Sequence, residues 1–254
     1  MRGMENTERF TGKAEVYARS RPGYPAALYD WLSEEFGLGK GSAAADIGSG
    51  TGIFLRPLLE RGCRVFAVEP NGDMRRQAER ALSGRPGFVS VAGTAEHTGL
   101  PDGAVDFVTA AQAFHWFDPE GFRRECARIL RPGGRVALVW NARRDEPGGI
   151  PLPEWAAVFR RYCPNYGANC PTEDRVGQFF GGRCEARQFP NGQSYDRRGF
   201  LERSLSASYS LKKGDAEYED YLRALGEVFD RNARGGRLEV PYTACAYVGR
   251  VTGE

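Results

Sequence analysis

From Gly41 to Trp140, short apolar runs alternate with amphipathic stretches. That alternation commits a chain to strands and helices taken in turn around a parallel sheet. The first run is Ala43 to Ile47, followed by the glycine turn Gly48-Ser49-Gly50-Thr51-Gly52 and a helix with Phe54, Leu55, Leu58 and Leu59 on one face. Arg64 to Glu69 reads as a second strand, and Asn71 is placed to cap a helix over Asp73 to Leu82. Phe88 to Ala92 and Val105 to Ala110 read as strands three and four. Asp118-Pro119 supplies an N-cap and an N1 proline for a helix burying Phe122, Cys126, Ile129 and Leu130, which Arg131-Pro132-Gly133-Gly134 stops. Val136 to Trp140 is apolar throughout, as a strand covered on both faces should be.

The flanks are of another kind. Residues 1–40 carry Phe10, Tyr17, Tyr24, Tyr29, Trp31 and Phe36 and are expected to form a helical cap. Residues 143–182 read as an irregular substrate-covering insertion with one helix carrying Trp155, Val158, Phe159 and Tyr162. In 183–254 a helix is expected from Ala216 to Arg231, with late strands at Cys184–Phe189 and Leu238–Val251, while 191–212 reads as irregular. With no repeat or low-complexity linker, 1–254 is expected to be a single domain around a core at 41–142. The fold class is α/β, a doubly wound Rossmann-like sheet.

Composition narrows the function. The 35 basic and 33 acidic side chains leave a net charge of +2, which argues against electrostatic binding of nucleic acid. No apolar run approaches the roughly 18 residues of a membrane helix, and the polar stretch Met1 to Phe10 lacks a secretory core, so a cytoplasmic protein is expected. Six cysteines without a CxxC pair, and two histidines, His97 and His115, without partners at ligand spacing, predict no metal site. The chain holds 33 glycines, and composition alone does not distinguish loose loops from a nucleotide-type site.

The spacing of the first turn is informative. Between a strand and a helix, glycine permits a sharp turn and close approach of a ligand to the backbone, and the helix start offers unpaired N–H groups. A dinucleotide fingerprint would need glycine at 53, where this chain has Ile53; the third glycine is Gly52. Glu69, at the end of the second strand, stands where an acid accepts the hydroxyls of a ribose. Together the two features point to a ligand containing a nucleoside.

Asp46-x-Gly48-x-Gly50-x-Gly52 followed by Val65 to Asn71 resembles the first two motifs of class I S-adenosylmethionine-dependent methyltransferases. Gly93 to Glu96, Leu100 to Asp106, Ala111 to Phe117 and Arg128 to Gly134 resemble the later ones, the last two being similar to the small-molecule branch with trans-aconitate-type methyltransferases. The resemblance covers about 10 to 250 and is densest from 44 to 141. It implies a seven-stranded, mostly parallel sheet with a late antiparallel strand. It also implies that Asp46, Gly48, Ser49 and Gly50 surround the methionine moiety and Glu69 the ribose, with Asn71 and Met74 flanking the adenine. For Met74, packing on the sheet is an equal reading. Thr94, Ala95 and Glu96 would meet the adenine edge; many relatives have Asp at the position of Thr94. Phe10-x-x-Lys13-Ala14-x-x-Tyr17-x-x-Ser20-Arg21-Pro22-x-Tyr24-Pro25 resembles the segment that covers the cofactor, with Tyr17 over the sulfonium region and Arg21 meeting a carboxylate of cofactor or substrate.

His115 and Trp116 follow the fourth strand, at the sheet edge where ligands bind. His115 either orients or deprotonates an acceptor, or packs the loop. Gln112 and Trp116 are candidates to touch cofactor and acceptor, and Trp155 to help enclose the acceptor. The implied activity is methyl transfer from S-adenosylmethionine to an oxygen, perhaps of a carboxylate, or a nitrogen of a small molecule. Other readings are a nucleic-acid methyltransferase, a nicotinamide dehydrogenase and a non-catalytic cofactor- or partner-binding module. Gln112-Ala113-Phe114-His115 lacks the base-methylating pattern after strand four, and Ile53 disfavours the dehydrogenase. Oligomeric state is not readable.

Overall fold

The computed structural model describes residues 14–143, 152–167 and 173–251. Phe10 and Lys13 of the cap motif, Cys170 and part of the expected insertion lie outside the described residues.

Seven strands form the main sheet: β1 (Ala43–Ile47), β2 (Arg64–Val68), β3 (Phe88–Val91), β4 (Val105–Ala111), β5 (Leu130–Arg143), β6 (Cys184–Pro190) and, last in the chain, β9 (Tyr242–Gly249). Their spatial order is β3-β2-β1-β4-β5-β9-β6. The pairs from β3 to β5 are parallel, and β9 runs antiparallel to both β5 and β6. This is the expected mostly parallel sheet with one late antiparallel strand.

Side chains alternate between the faces of a pleated strand, so each central strand feeds two cores. Ala44, Ala137, Val139, Ala244 and Ala246 belong to the core that also holds Leu28 and Leu32 of α2 (Ala26–Phe36) and Leu55 and Leu58 of α3 (Leu55–Glu60). Leu82, from α4 (Gly72–Leu82), joins the same core. Ala45, Ile47, Val108, Val136 and Leu138 point the other way, against Phe122, Cys126 and Ile129 of α5 (Pro119–Ile129) and Phe179 of α7 (Glu173–Phe180). A third cluster lies off the sheet, between α6 (Pro153–Tyr162), α8 (Arg197–Leu205), α9 (Tyr218–Asn232) and the small ribbon of β7 (Gln193–Tyr195) with β8 (Leu238–Val240). At the start of the described chain, α1 (Ala14–Ser20) precedes the link to α2.

Both expected caps form. Asn71 Oδ1 accepts from the N–H groups of Asp73 and Met74, and Asp118 accepts from that of Gly121, with Pro119 at N1.

Three expectations are corrected. The Arg131-Pro132-Gly133-Gly134 segment does not separate α5 from the next strand: β5 begins at Leu130, opposite Val105, and the pairing resumes between Phe107 and Arg135, so these residues bulge out of the strand. The stretch Leu238–Val251 is two strands in two sheets, divided at Pro241, which has no N–H to donate. Segments 143–182 and 191–212 are less irregular than expected: the first holds α7 as well as α6, and the second holds β7 and α8. Asp196, accepting from the N–H of Gly199 at 2.7 Å, is the local signal for α8. No described helix is long and apolar enough to cross a membrane.

Candidate active site

The carboxyl ends of β1, β2 and β4 open into a cavity of about 570 Å³. The turn after β1 begins where the N–H groups of Gly48 and Ser49 both donate to the Val68 carbonyl, at 2.9 and 3.2 Å. Gly48 (φ 66°) and Gly50 (φ 57°) lie in the left-handed region. A Cβ on Gly48 would come within 2.7 Å of the Ala113 side chain, whereas one on Gly50 would meet nothing within 4 Å. Gly48 is thus fixed by close packing and Gly50 by its backbone beside open space. Gly52 has a different role: its Cβ would strike Leu82 of α4 at 2.5 Å, so it admits a helix rather than a ligand.

Two carboxylates stand at the ends of adjacent strands. Asp46 is almost fully buried, and its Oδ1 accepts from the Thr109 hydroxyl on the paired strand β4 at 2.6 Å. Its Oδ2 is buried with no hydrogen-bond partner among the described residues. Burial pushes the Asp46 carboxyl up to about 7; the Thr109 bond opposes this and the charge of Glu69 adds to it. Glu69 accepts from the N–H of Gly50 through Oε2 and from that of Asn71 through Oε1, each at 2.8 Å. Burial raises its pKa too, against the pull of those two N–H groups.

The cavity brings together every residue for which the sequence suggested cofactor contact. Asp46, Gly48, Ser49 and Gly50 line it from the turn, Glu69, Asn71 and Met74 from β2 and the start of α4, and Thr94, Ala95 and Glu96 from the loop after β3. Gln112 lies just past β4, and Tyr17 and Arg21 come from α1 and the residue after it. Gln112 holds φ at 55°, uncommon for a residue with a side chain, while its N–H donates to the Val139 carbonyl and its Nε2 to that of Asn141. Trp116 also lines the cavity.

His115 and Trp155 are placed otherwise. His115 is not among the lining residues; its Nδ1 accepts from the Trp140 indole at 3.4 Å, across the loop. Burial, with the nearby charges of Arg175 and Arg21, pushes its pKa down to about 3, far from the neutral value a general base needs. Packing of the loop, the less chemical of the two readings, is the one this geometry favours. Trp155, expected to enclose an acceptor, is 1% exposed in the third cluster, where its Nε1 donates to the Ser204 hydroxyl at 2.9 Å and its ring lies 4.9 Å from that of Phe200. An apolar helix face at that spacing went into packing, because α8 and α9 cover it. Asn141 and Arg203, which no local pattern marked, also line the cavity. The Asp196 cap could have revealed the helix that carries Arg203, though not the direction of its side chain.

A sheet of this order, with a glycine turn after β1 and acids at the ends of β1 and β2 in one cavity, defines the class I methyltransferase arrangement. The methyltransferase-domain family matches residues 45–138. An uncharacterised methyltransferase of Mycobacterium tuberculosis is 42% identical over 141 residues, 56% of this chain and 55% of that protein, so the chain spans about half the length of such curated relatives. One of Geobacillus kaustophilus is 31% identical over 57% of this chain and 70% of its own length. A candidate type II methyltransferase of Anaeromyxobacter dehalogenans is 30% identical, with 92% of this chain and 99% of that one aligned at a TM-score of 0.62. A candidate methyltransferase from an antibiotic biosynthesis pathway of Anabaena variabilis, 24% identical with a TM-score of 0.65 over 90% of this chain and 98% of its own, shares the fold. The chain belongs to the class I methyltransferase family.

The residues present suit S-adenosylmethionine, a ligand with an ammonium, a carboxylate and a ribose. The buried, unpartnered Asp46 Oδ2 matches a cation, and the Ser49 and Thr51 hydroxyls are buried in the same lining with no hydrogen-bond partner among the described residues.

Proposed function

We propose that this chain is an S-adenosylmethionine-dependent methyltransferase acting on an oxygen or nitrogen of a small molecule. The observation that carries the reading is Asp46: a buried carboxyl, bonded on one oxygen and with no partner on the other among the described residues, in the same cavity as Glu69. Asp46 would hold the ammonium and Glu69 the ribose hydroxyls; Asn71, Met74, Thr94, Ala95 and Glu96 would enclose the adenine. Arg21 would meet the methionine carboxylate, beneath the Tyr17 ring that its guanidinium already faces at 4.6 Å. The bound cofactor supplies an electrophilic methyl group. Trp116 and Gln112 would align the acceptor and exclude water, a contribution that needs no proton transfer.

A carboxylate oxygen is the preferred acceptor, as in the trans-aconitate-type branch. Such an acceptor is ionised at neutral pH and asks no base of the protein, which agrees with the neutral, withdrawn His115. The test is release of S-adenosylhomocysteine over a panel of metabolites, with Asp46→Ala and Glu69→Ala as inactive controls. Failure of S-adenosylhomocysteine to bind the wild type at millimolar concentration would overturn the reading. Binding without transfer to any acceptor would instead indicate a cofactor-sensing module.

A further inference from the structure

Gln112 is the one residue other than glycine with a positive φ among the described residues. At 55° a side chain crowds its own backbone, a strain that persists only where the surroundings impose it and that clusters at ligand sites. Here β5 imposes it. The Gln112 N–H donates to the Val139 carbonyl at 2.8 Å, and its Nε2 donates to the Asn141 carbonyl at 3.0 Å. A carbonyl only accepts, so the bonded atom of the amide must be its nitrogen. Asn141 is itself held, its Nδ2 donating to the Gly23 carbonyl and its Oδ1 accepting from Asn191. The amide oxygen of Gln112 is left over: it accepts from no described residue, and Gln112 forms part of the cavity wall.

We propose that Gln112 determines specificity: its fixed Oε1 accepts a hydrogen bond from a hydroxyl or N–H group of the methyl acceptor, which places the substrate among hydroxy or amino compounds. The proposal rests on the cofactor reading above. Two donors are at hand on that reading, the acceptor and the ammonium of the cofactor, and the sheet separates them. In the order β2-β1-β4-β5, Asp46 and Glu69 stand on one side of β4, whereas both bonds of Gln112 run to the other side, to β5. Asp46 pairs with Thr109, and β4 runs on past that pair to Ala111, roughly 7 Å further, before Gln112 begins. The ammonium is met by Asp46, so the donor left for Gln112 is the acceptor's. Oε1 repels a carboxylate oxygen, so the carboxylate to be methylated and the donor that Gln112 holds are different groups of one molecule. An acceptor that lacks the donor leaves Oε1 covered and unbonded, a cost that discriminates against it.

The probes are the ortho-, meta- and para-hydroxybenzoates and aminobenzoates, each compared with the fluorobenzoate of the same substitution, in which fluorine removes the donor at little change in size. They are titrated calorimetrically into wild type and variants, with and without saturating S-adenosylhomocysteine. At least one donor-bearing probe should bind the wild type about tenfold or more tighter than its fluoro counterpart. Gln112→Met, of similar length but without the amide, should bring that ratio to within about twofold of unity while leaving the dissociation constant of S-adenosylhomocysteine within about threefold. Should Gln112→Met lose its fold by circular dichroism, Gln112→Asn, which suits the left-handed backbone and draws the amide back by a methylene, should reduce the ratio by about threefold or more. Equal binding of the probes and their fluoro counterparts, or no binding of any at millimolar concentration, overturns the proposal, as does a preference that survives Gln112→Met. So does a loss of S-adenosylhomocysteine affinity in Gln112→Met as large as the loss for the probe, since the cofactor would then be the donor. A preference that Gln112→Met removes, in a wild type that binds no S-adenosylhomocysteine, would overturn the cofactor reading alone.

Discussion

A carboxyl buried beside a second carboxyl, with one oxygen bonded to a hydroxyl and the other bare, is expensive to ionise without a cation to meet it. Asp46 is such a group. Its pKa stands at about 7 in the folded chain against 3.8 unfolded, so the folded state holds its proton more tightly. Stability therefore falls as pH rises from about 4 to about 7 and is flat in this respect above, a cost on the order of 4 kcal/mol. Asp46→Asn should abolish that decline, which thermal melts across the pH range would read. In the wild type the ligand's ammonium requires the ionised carboxyl. The affinity for S-adenosylhomocysteine should accordingly rise up to about tenfold per pH unit below pH 7 and level off above, with a proton released on binding. In Asp46→Asn it should be weak and insensitive to pH. His115 makes the opposite case. Already neutral and turned to Trp140, it should be replaceable: His115→Gln is expected to keep kcat/KM within about threefold on an accepted substrate. A loss of a hundredfold would restore it to the chemistry.

The elements around the cavity differ in how they are tied down. The link between α1 and α2, which carries Arg21 and Tyr24, is held at the Gly23 carbonyl by the side-chain amides of Asn141 (3.0 Å) and Asn191 (2.9 Å), and Asn191 also donates to Asn141 Oδ1 at 2.8 Å. Asn191→Ala removes two of these three bonds and should cost about 1–3 kcal/mol. It should also speed amide hydrogen exchange across residues 14–25 and the release of S-adenosylhomocysteine; unchanged exchange there would show that the clamp does not govern the cap. This clamp was invisible in the sequence, whereas β1 and the caps of α4 and α5 were plain. The reason is range. Ala43 to Ile47 and the residues around Asn71 and Asp118 declare their structure within a few positions, and the glycine turn with Glu69 does so within one strand–helix–strand unit. Asn141 and Arg203 acquire their places only when β5, β6 and α8 meet. In α8 the buried set is Phe200, Arg203 and Ser204, which gives no apolar stripe to read. Trp155 misled for the converse reason: its stripe was clear, but α8, one of the two helices that cover it, was not.

At the scale of the molecule, the two cores on the sheet faces and the third cluster divide the cavity between them. The sheet presents the glycine turn, Asp46 and Glu69; the third cluster backs the wall formed by α8 and Tyr242, where Arg203 sits. Damage to the two supports should therefore differ in its effect on S-adenosylhomocysteine. Phe122, buried under the sheet, packs against Phe114 and Phe117, and Phe117 lines the cavity beside Gly48. Phe159 is equally buried but packs among Trp155, Tyr166 and Tyr209. Each phenylalanine-to-alanine change should cost about 3–5 kcal/mol of stability by loss of apolar contact and the cavity left behind. Their consequences for binding should diverge, measured at a temperature where both variants remain folded. Phe122→Ala should weaken S-adenosylhomocysteine, because the Ala113–Phe117 surface that fixes Gly48 loses its backing. Phe159→Ala should leave that affinity within about threefold, because the cluster it supports backs α8 and Tyr242 and not the glycine turn. Equal losses of that affinity in both variants would mean that the cavity responds as one unit, and that the third cluster is no separate support.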